Sequence, residues 1–257
     1  RTVSSAASDV YKRQRKDIVL ASKFGLPMGE GPYLNGAGRH YIMRAVEDSL
    51  RRLRTDHLDL YQVHRPDPAT PIEETLRALD DLVRDGKVRY VGCSNFAGWQ
   101  LAEAEWAARA GGTVRFISAQ NEYSLVDRRI EGDLVPAANA YGVGILPYFP
   151  LANGLLTGKY QRNHAMPDGA RMTERPTRAE EVLTDRNWTI AEKVADYAAA
   201  RGHSLLEAAI GWLASQDHVP SVIAGATTAE QVAQNAAAAD WRMTAEEIAD
   251  INALSDL

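Results

Sequence analysis

The chain has 257 residues, of which 45% are hydrophobic and 25% charged. This is the composition of an ordinary soluble globular protein, long enough for one large domain or two small ones, and it excludes collagen-like repeats and long disorder. Cys93 is the single cysteine, so a disulfide scaffold is excluded. A net charge of −5 argues against nucleic-acid and anionic-membrane partners. Together with the lack of a membrane-spanning run or a secretory signal, these features predict a cytoplasmic protein.

Residues 1–14 show no periodic apolar pattern, and the change to the apolar run beginning at Ile18 is abrupt. We interpret 1–14 as a tail foreign to the fold, with a native flexible tail as the alternative. Residues 15–257 are expected to form one domain.

Short apolar runs rich in β-branched residues alternate with stretches of helical periodicity. Four of the five intervals between strand starts are near the roughly 30 residues of one βα unit, which predicts a parallel sheet with helical crossovers. The last interval contains Asn153–Asn187, which is expected to be a long loop. The six predicted strands are Ile18–Ser22, Leu58–His64, Val88–Cys93, Phe116–Gln120, Val143–Pro147 and Ser221–Ala224.

Helices are predicted where apolar residues recur every three or four positions, first between Ile42 and Leu53 and next between Ile72 and Leu82. The Asp85-Gly86 pair is expected to end the second helix, and Thr244 is expected to open the last one with a capping box. The other predicted helices are Trp99–Ala110, Ile130–Ala140, Trp188–Arg201, Leu205–Gln216 and Thr228–Ala238.

A polar residue or a glycine stands at the carboxyl end of every predicted strand. These ends share one edge of a parallel sheet, where α/β folds bind ligands, so we expect a site there. A desolvated Lys23 would suit Schiff-base chemistry or the tuning of a neighbouring acid, and a neutral His64 could donate to a carbonyl. Taken singly, each residue also fits a structural role. The strand-end residues are Lys23, His64, Ser94, Asn95, Gln120, Tyr148 and Gly225.

Two classes of site are not supported. No glycine-rich dinucleotide fingerprint or P-loop follows a strand. The six histidines share no metal-ligand spacing, so no metal site is predicted.

The segments at the strand ends resemble the aldo-keto reductases, in particular the bacterial branch that includes relatives of potassium-channel β-subunits. The resemblance runs in order from about Lys16 to the C terminus. It implies a (β/α)8 TIM barrel, here incomplete with about six of eight βα units, and hydride transfer between NADP(H) and an aldehyde or ketone. The segments are VLASKFG (19–25), DLYQVHRPD (59–67), GKVRYVGCSNF (86–96), QNEYS (120–124), YFPLANGLLTGKY (148–160) and VIAGATTAEQVAQN (222–235).

The same resemblance implies a role for each matching residue. Lys23 and His64 would belong to the family's catalytic Asp-Tyr-Lys-His tetrad. Ser94, Asn95 and Gln120 would hold the nicotinamide carboxamide, and Tyr148 would stack on the ring. The residues that would contact the rest of the cofactor are Leu151, Gly154 and Leu155 at the pyrophosphate, and Gly225, Ala226, Thr227, Thr228, Gln231 and Asn235 at the adenosine end.

The sequence departs from the family at two points. In the family, the tyrosine acid and the aspartate of the tetrad lie about thirty residues before the lysine. Only twenty-two residues precede Lys23 in this sequence. We therefore expect both residues to be missing and the chain to be a fragment. Asp9 and Tyr11 imitate the pair but lie too close to Lys23. Gln231 stands where many relatives have an arginine that binds the 2′-phosphate of NADP(H), and glutamine lacks the permanent charge of arginine. NADP(H) is therefore favoured over NAD(H) only because most members of the family use it.

The leading interpretation is an NAD(P)H-dependent carbonyl reductase that acts on a small-molecule carbonyl. Two alternatives come from other classes: a nucleotide-binding regulatory subunit without turnover, and a Schiff-base aldolase that uses Lys23. The sequence predicts neither the particular substrate nor the oligomeric state. We expect Lys23, His64, Asn95, Gln120 and Tyr148 to converge at one mouth of the sheet.

Overall fold

A computed structural model describes residues 15–31 and 33–256. The chain divides into two compact units, Arg1–Gln120 with Gly132–Gly144, and Asn121–Glu131 with Ile145–Leu257. The expectations for residues 1–14, and with them Asp9 and Tyr11, lie outside the described residues.

The first unit is built on parallel strands joined by helices. Residues paired in register on neighbouring strands include Lys23 with Gln62, Gln62 with Gly92, and Gly92 with Ser118. A fifth, two-residue strand follows in the strand order, β1-β2-β3-β4-β5. The predicted α/β class with a parallel sheet is therefore confirmed, and it is consistent with an incomplete (β/α)8 barrel. The strands are β1 (Ala21–Phe24), β2 (Leu58–Val63), β3 (Val88–Ser94), β4 (Phe116–Gln120) and β5 (Gly144–Ile145).

Helices of the first unit bury the faces that the sequence period predicts. The first helix buries Ile42, Val46 and Leu50. The second ends where expected, since Gly86 follows it with a φ of 75°, a left-handed conformation that glycine adopts without steric cost. The helices are α1 (Arg39–Leu53), α2 (Ile72–Arg84), α3 (Gly98–Gly111) and α4 (Leu134–Tyr141).

The second unit is mainly helical, and Trp212 lies at its core. The Trp212 ring is fully buried, packs edge-on against Tyr123, and donates from Nε1 to Asn252 Oδ1 at 2.9 Å. The capping box predicted at Thr244 is confirmed. The helices are α5 (Pro176–Val182), α6 (Asp185–Ala199), α7 (Leu205–Ala214), α8 (Ala229–Ala237) and α9 (Ala245–Ser255). Within the described part of the chain, no helix combines the length and apolarity needed to cross a membrane.

Two strand predictions are corrected. The first strand is Ala21–Phe24 rather than Ile18–Ser22, so Lys23 lies within the strand and not just beyond it. Ser221–Ala224 forms no strand among the described residues, because only Ile223 makes a bridge, to Tyr148, with its N–H donating to the Pro147 carbonyl at 3.0 Å. The described sheet therefore has five strands and not six.

Two predictions about connecting segments are also corrected. Asn153–Asn187 is not a long loop, because it contains part of the 3-10 segment Ala152–Thr157 and helix α5, which starts at Pro176, a residue preorganised for the first helical turn. The helix predicted over Ile130–Ala140 is split at Asp133, whose carboxylate accepts from the Leu134 N–H and caps α4.

Candidate active site

Lys23 and His64 are placed by neighbouring strands of the first unit. His64 directly follows β2, and its N–H donates to the Phe24 carbonyl at 2.8 Å. Because Lys23 is in register with Gln62, and side chains two residues apart on a strand share a face, Lys23 and His64 lie on one face of the sheet. Both line a cavity of about 340 Å³ whose wall also includes Tyr41 and Asp48 of α1.

The cavity perturbs the protonation of both side chains. Burial lowers the pKa of Lys23 below its ordinary value. Burial also lowers the pKa of His64, and the positive charges of Lys23 and Arg65 lower it further. His64 is therefore neutral at pH 7, with one ring nitrogen able to donate and the other able to accept a hydrogen bond.

Ser94 and Asn95 connect the carboxyl ends of three strands. The Ser94 hydroxyl donates to the Gln120 carbonyl at 2.7 Å, and the Asn95 N–H donates to the same oxygen at 3.1 Å. The Asn95 Nδ2 donates to the His64 carbonyl at 2.9 Å. Asn95 has a φ of 61°, a left-handed conformation that asparagine tolerates better than most residues. These bonds fix the backbone around His64 and Gln120.

Gln120 is largely buried at the last position of β4. Its backbone carbonyl is occupied by Ser94 and Asn95, whereas none of the hydrogen bonds found among the described residues uses its side-chain amide. An amide can donate and accept at once, so this side chain fits a carboxamide ligand. We name Lys23, His64, Ser94, Asn95 and Gln120 the strand-end cluster.

Tyr148 belongs to the second unit, where it lies in an extended segment. It makes parallel bridges with Glu122 and Ile223, and its ring packs edge-on against Phe149 at a centroid distance of 5.2 Å. Burial raises the pKa of Tyr148, and the nearby carboxylates of Glu122 and Asp127 raise it further. The Tyr148 hydroxyl therefore stays protonated at neutral pH.

The segment after Tyr148 is a tight, buried turn. Leu151 accepts at its carbonyl from the Gly154 N–H at 2.8 Å, and Leu155 is buried. Gly154 has a φ of 104°, and a Cβ there would lie 2.7 Å from the Cε of Lys159. The Lys159 side chain would have to move to admit a Cβ, and the positive φ itself favours glycine at this turn.

The adenosine-end candidates lie on the surface of the second unit. Helix α8 has no buried residue. The Gln231 side-chain oxygen accepts from the Thr227 N–H at 2.8 Å, and Thr228 caps the helix by accepting from the Gln231 N–H at 3.2 Å. These contacts are all local to the turn. We name the stretch that carries these candidates the 225–235 segment; its members are Gly225, Ala226, Thr227, Thr228, Gln231 and Asn235.

The structure thus brings the strand-end cluster together within the first unit, whereas Tyr148, Leu151, Gly154, Leu155 and the 225–235 segment belong to the second. Sequence reasoning missed Gln62, the register partner of Lys23, and Gly92, the register partner of Gln62. The two-residue alternation along β2 was a signal for Gln62, since it places Gln62 on the face of His64. Within the described residues, no group of three or more His, Cys, Asp or Glu side chains is arranged to hold a metal ion.

Comparison with known proteins defines the class of this protein. The Aldo/keto reductase family matches residues 2–256. A Bacillus subtilis (strain 168) protein described as an uncharacterized oxidoreductase, YrpG, is 34% identical over 93% of this chain and 72% of its own length. A probable voltage-gated potassium channel subunit beta of Oryza sativa subsp. japonica is 35% identical, over 88% of this chain and 70% of its own. The L-glyceraldehyde 3-phosphate reductase of Escherichia coli (strain K12) is 31% identical over 94% of this chain and 71% of its own length.

The fold and these matches define an oxidoreductase. The chain belongs to the aldo/keto reductase family.

Proposed function

We propose that the protein binds NADP(H) and reduces a small aldehyde or ketone to the alcohol at the strand-end cluster. The observation that supports this most directly is the placement of Lys23 and a neutral His64 on one face of the sheet and in one cavity. When bound, the nicotinamide supplies the hydride for the carbonyl carbon.

In this proposal, His64 donates a hydrogen bond to the carbonyl oxygen, where negative charge develops during reduction. Lys23 contributes a positive charge to the same cavity, and the alkoxide that hydride transfer would leave takes its proton from water. Tyr11 is assigned no role in this proposal.

For the cofactor, the amide of Gln120 fits the nicotinamide carboxamide, and Ser94 and Asn95 hold the backbone that presents it. We propose the roles that family resemblance gives to Tyr148 at the ring, to Leu151, Gly154 and Leu155 at the pyrophosphate, and to the 225–235 segment at the adenosine. The Gln231 oxygen already accepts from Thr227, and glutamine offers no permanent charge, so the preference for NADP(H) over NAD(H) is expected to be weak.

The test combines nucleotide titration with turnover. NADPH and NADH are titrated by fluorescence, and NADPH oxidation is followed with a panel of aldehydes, for the unmodified chain, Lys23→Met and Tyr11→Phe. We expect NADPH binding, NADPH oxidation, a loss of oxidation in Lys23→Met and no change in Tyr11→Phe. Absence of nucleotide binding would refute the proposal, and loss of activity in Tyr11→Phe would show that Tyr11 is the acid.

A second candidate is a nucleotide-binding regulatory subunit in which cofactor occupancy matters more than turnover. The similarity to probable potassium channel β-subunits of Oryza sativa and Arabidopsis thaliana favours it. It predicts NADPH binding with no oxidation by any aldehyde in the same assay, whereas measurable turnover that depends on Lys23 would exclude it.

A further inference from the structure

The segment that follows His64 carries a carboxylate between two prolines, in the sequence HRPDP (64–68). Each proline restricts its own backbone and that of the residue before it, so Asp67 has little conformational freedom. Asp67 bonds across to the loop between β1 and α1 (25–38, in which residue 32 lies outside the described residues). Its Oδ2 accepts from the Ala37 N–H at 2.7 Å, a contact between residues 30 positions apart.

Local hydrogen bonds hold the Asp67 carboxylate in this orientation. Its Oδ2 also accepts from the Thr70 hydroxyl at 2.8 Å, and its Oδ1 accepts from the Ala69 N–H at 3.0 Å. Burial opposes ionisation of Asp67, but these hydrogen bonds outweigh burial and lower its pKa below the ordinary value. Asp67 is therefore a charged acceptor at neutral pH.

Gly36 makes room for this contact. A Cβ on Gly36 would lie 2.7 Å from the Asp67 Oδ2, and Gly36 has a φ of 82°. A side chain at 36 would both strain the backbone and displace the carboxylate. Asp67 thus lies directly against the backbone of the loop.

The Gly36 end of the loop is bonded to its other end, which lies against His64. The Gly36 N–H donates to the Gly25 carbonyl at 3.0 Å. A Cβ on Gly25 would lie 3.7 Å from the His64 backbone nitrogen and 3.9 Å from the His64 Cβ, within van der Waals contact. Contacts therefore lead from Asp67 through Gly36 and Gly25 to His64.

The same loop supplies an apolar wall of the cavity that Lys23 and His64 line. The side chains in this wall are Leu26, Met28 and Leu34. Apolar side chains beside His64 keep water from it, and burial is the largest cause of its lowered pKa. The position of the loop thus decides how far His64 is shielded from water.

We propose that Asp67 is a positioning residue for the active site: it holds the loop 25–38 against His64 and keeps the apolar wall of the cavity in place. The proposal rests on the function proposed above, in which His64 donates to the substrate carbonyl. A hydrogen bond to a developing charge is worth more where water is excluded, so a displaced loop would weaken this interaction.

The charged groups around His64 belong to β1, to α1 and to the residue after His64. They are Lys23, Arg44, Asp48, Arg52 and Arg65. Substitutions at Asp67 remove none of them. Loss of the Asp67 charge alone would lower the pKa of His64, because a negative charge favours the imidazolium, whereas entry of water would raise it. The direction of the change therefore separates the two causes.

The experiment measures the pKa of His64 in the full chain by NMR titration of its ring, assigned from the signal lost in His64→Gln. Asp67→Ala removes the acceptor of the Ala37 N–H. Asp67→Asn removes the charge but keeps one side-chain oxygen for that N–H. Gly36→Ala keeps the charge and places a methyl group against the carboxylate.

Asp80→Ala is the matched control. The Asp80 Oδ1 also accepts a backbone N–H from a distant segment, that of Val114 at 3.1 Å. Val114 lies just before β4, at the opposite end of the strands from His64. Asp80→Ala therefore reports the effect of losing a bond of the same kind away from the cavity.

We expect Asp67→Ala and Gly36→Ala to raise the pKa of His64 toward its ordinary value. The ratio of protonated to neutral ring at pH 6 should then increase about threefold, since one pKa unit is tenfold in that ratio. Asp67→Asn should not raise the pKa, and Asp80→Ala should leave it unchanged.

An unchanged or lowered pKa in Asp67→Ala would overturn the proposal, and so would an equal rise in Asp80→Ala, which would indicate general loosening. If Asp67→Ala failed to fold, an unchanged pKa in Gly36→Ala would overturn it. This readout needs neither cofactor nor turnover. Failure to bind NADPH would refute the proposed function, while the rise in the His64 pKa would still support the role of Asp67.

Discussion

The strand-end cluster and the 225–235 segment are both candidates for nucleotide binding, yet they are built differently. In the cluster, Ser94 and Asn95 donate to carbonyls of Gln120 and His64 that are 25 to 31 residues away in the chain. In the 225–235 segment, the side chains of Thr228 and Gln231 accept hydrogen bonds only from partners within four residues. The first region is fixed by tertiary structure and the second by a local turn.

This difference has a consequence for binding. A site whose groups are already held by hydrogen bonds between strands loses little conformational freedom when a ligand arrives, whereas exposed groups held by a local turn lose more. We therefore expect the cluster to set the orientation of a bound nucleotide and the 225–235 segment to adjust to it. The two regions should also respond differently to mutation.

The largest contrast is expected between two glycines. Gly92→Ala places a methyl group 2.4 Å from the Ser118 Oγ and 2.9 Å from the Ser118 carbonyl, so it should destabilise the fold by roughly 1–3 kcal/mol. Gly225→Ala meets nothing within 4 Å and should change the free energy of unfolding by less than about 0.5 kcal/mol. Urea unfolding at pH 7 measures both. Equal effects would mean that the two regions are equally constrained.

Asn95 tests how much the left-handed backbone contributes to the cluster. Asn95→Ala removes the side-chain hydrogen bond to the His64 carbonyl and places at φ 61° a residue that disfavours the left-handed conformation. It should lower the free energy of unfolding by roughly 1–2 kcal/mol. Asn95→Gly loses the bond but relaxes the backbone, so urea unfolding should show a smaller loss. If Asn95→Gly were the more damaging variant, backbone strain would not be the main cost.

Thr228 provides the corresponding test in the 225–235 segment. Thr228→Ala removes the N-cap of α8, a change that costs about 1 kcal/mol of helix stability. Because α8 has no buried residue, hydrogen exchange should increase within 229–237 while the amides of β3 and β4 keep their protection. Faster exchange in β3 or β4 would contradict a purely local role.

The smallest expected effect is electrostatic. The pKa of His64 is lower in the folded state than in the unfolded state, so as pH falls His64 is protonated first in the unfolded state. The free energy of unfolding therefore decreases as pH drops through about 6.5, and it levels off below the pKa of the folded state. Lys23→Met removes one of the charges that lower the pKa and should raise it, and Arg65→Gln should raise it less. A titration of the His64 ring by NMR checks the order of the two shifts.

The sequence predicted the parts of the fold that depend on periodic burial. Apolar spacing located α1 and α2, and polar residues at strand ends located the cluster. The boundary of β1 was wrong because Ile18, Val19 and Leu20 form an apolar run that continues into the strand, although Val19 is 79% exposed. The strand predicted over Ser221–Ala224 was wrong because a strand needs a pairing partner along its length, and within this range only Ile223 forms a bridge.

The interior of the site was harder to predict. Gln62 lies in a run that reads as an ordinary strand, and the importance of Gly92 depends on how close Ser118 comes from a neighbouring strand. Such contacts between residues 26 to 30 positions apart depend on register, including the irregularity between Val91 and Gly92, which no local pattern encodes. Capping at Thr244 was predicted because it depends only on neighbouring residues.

The most direct test of the central claim is a fluorescence titration of NADPH against the unmodified chain, Gln120→Leu and Gln234→Leu. Gln120 lies in the strand-end cluster, whereas Gln234 is an exposed glutamine on α8 outside the proposed contacts. The account predicts that Gln120→Leu weakens NADPH binding about tenfold or more, the equivalent of about 1.4 kcal/mol, and that Gln234→Leu binds like the unmodified chain. Equal affinity for NADPH in Gln120→Leu and the unmodified chain would contradict the claim that the strand-end cluster holds the nicotinamide.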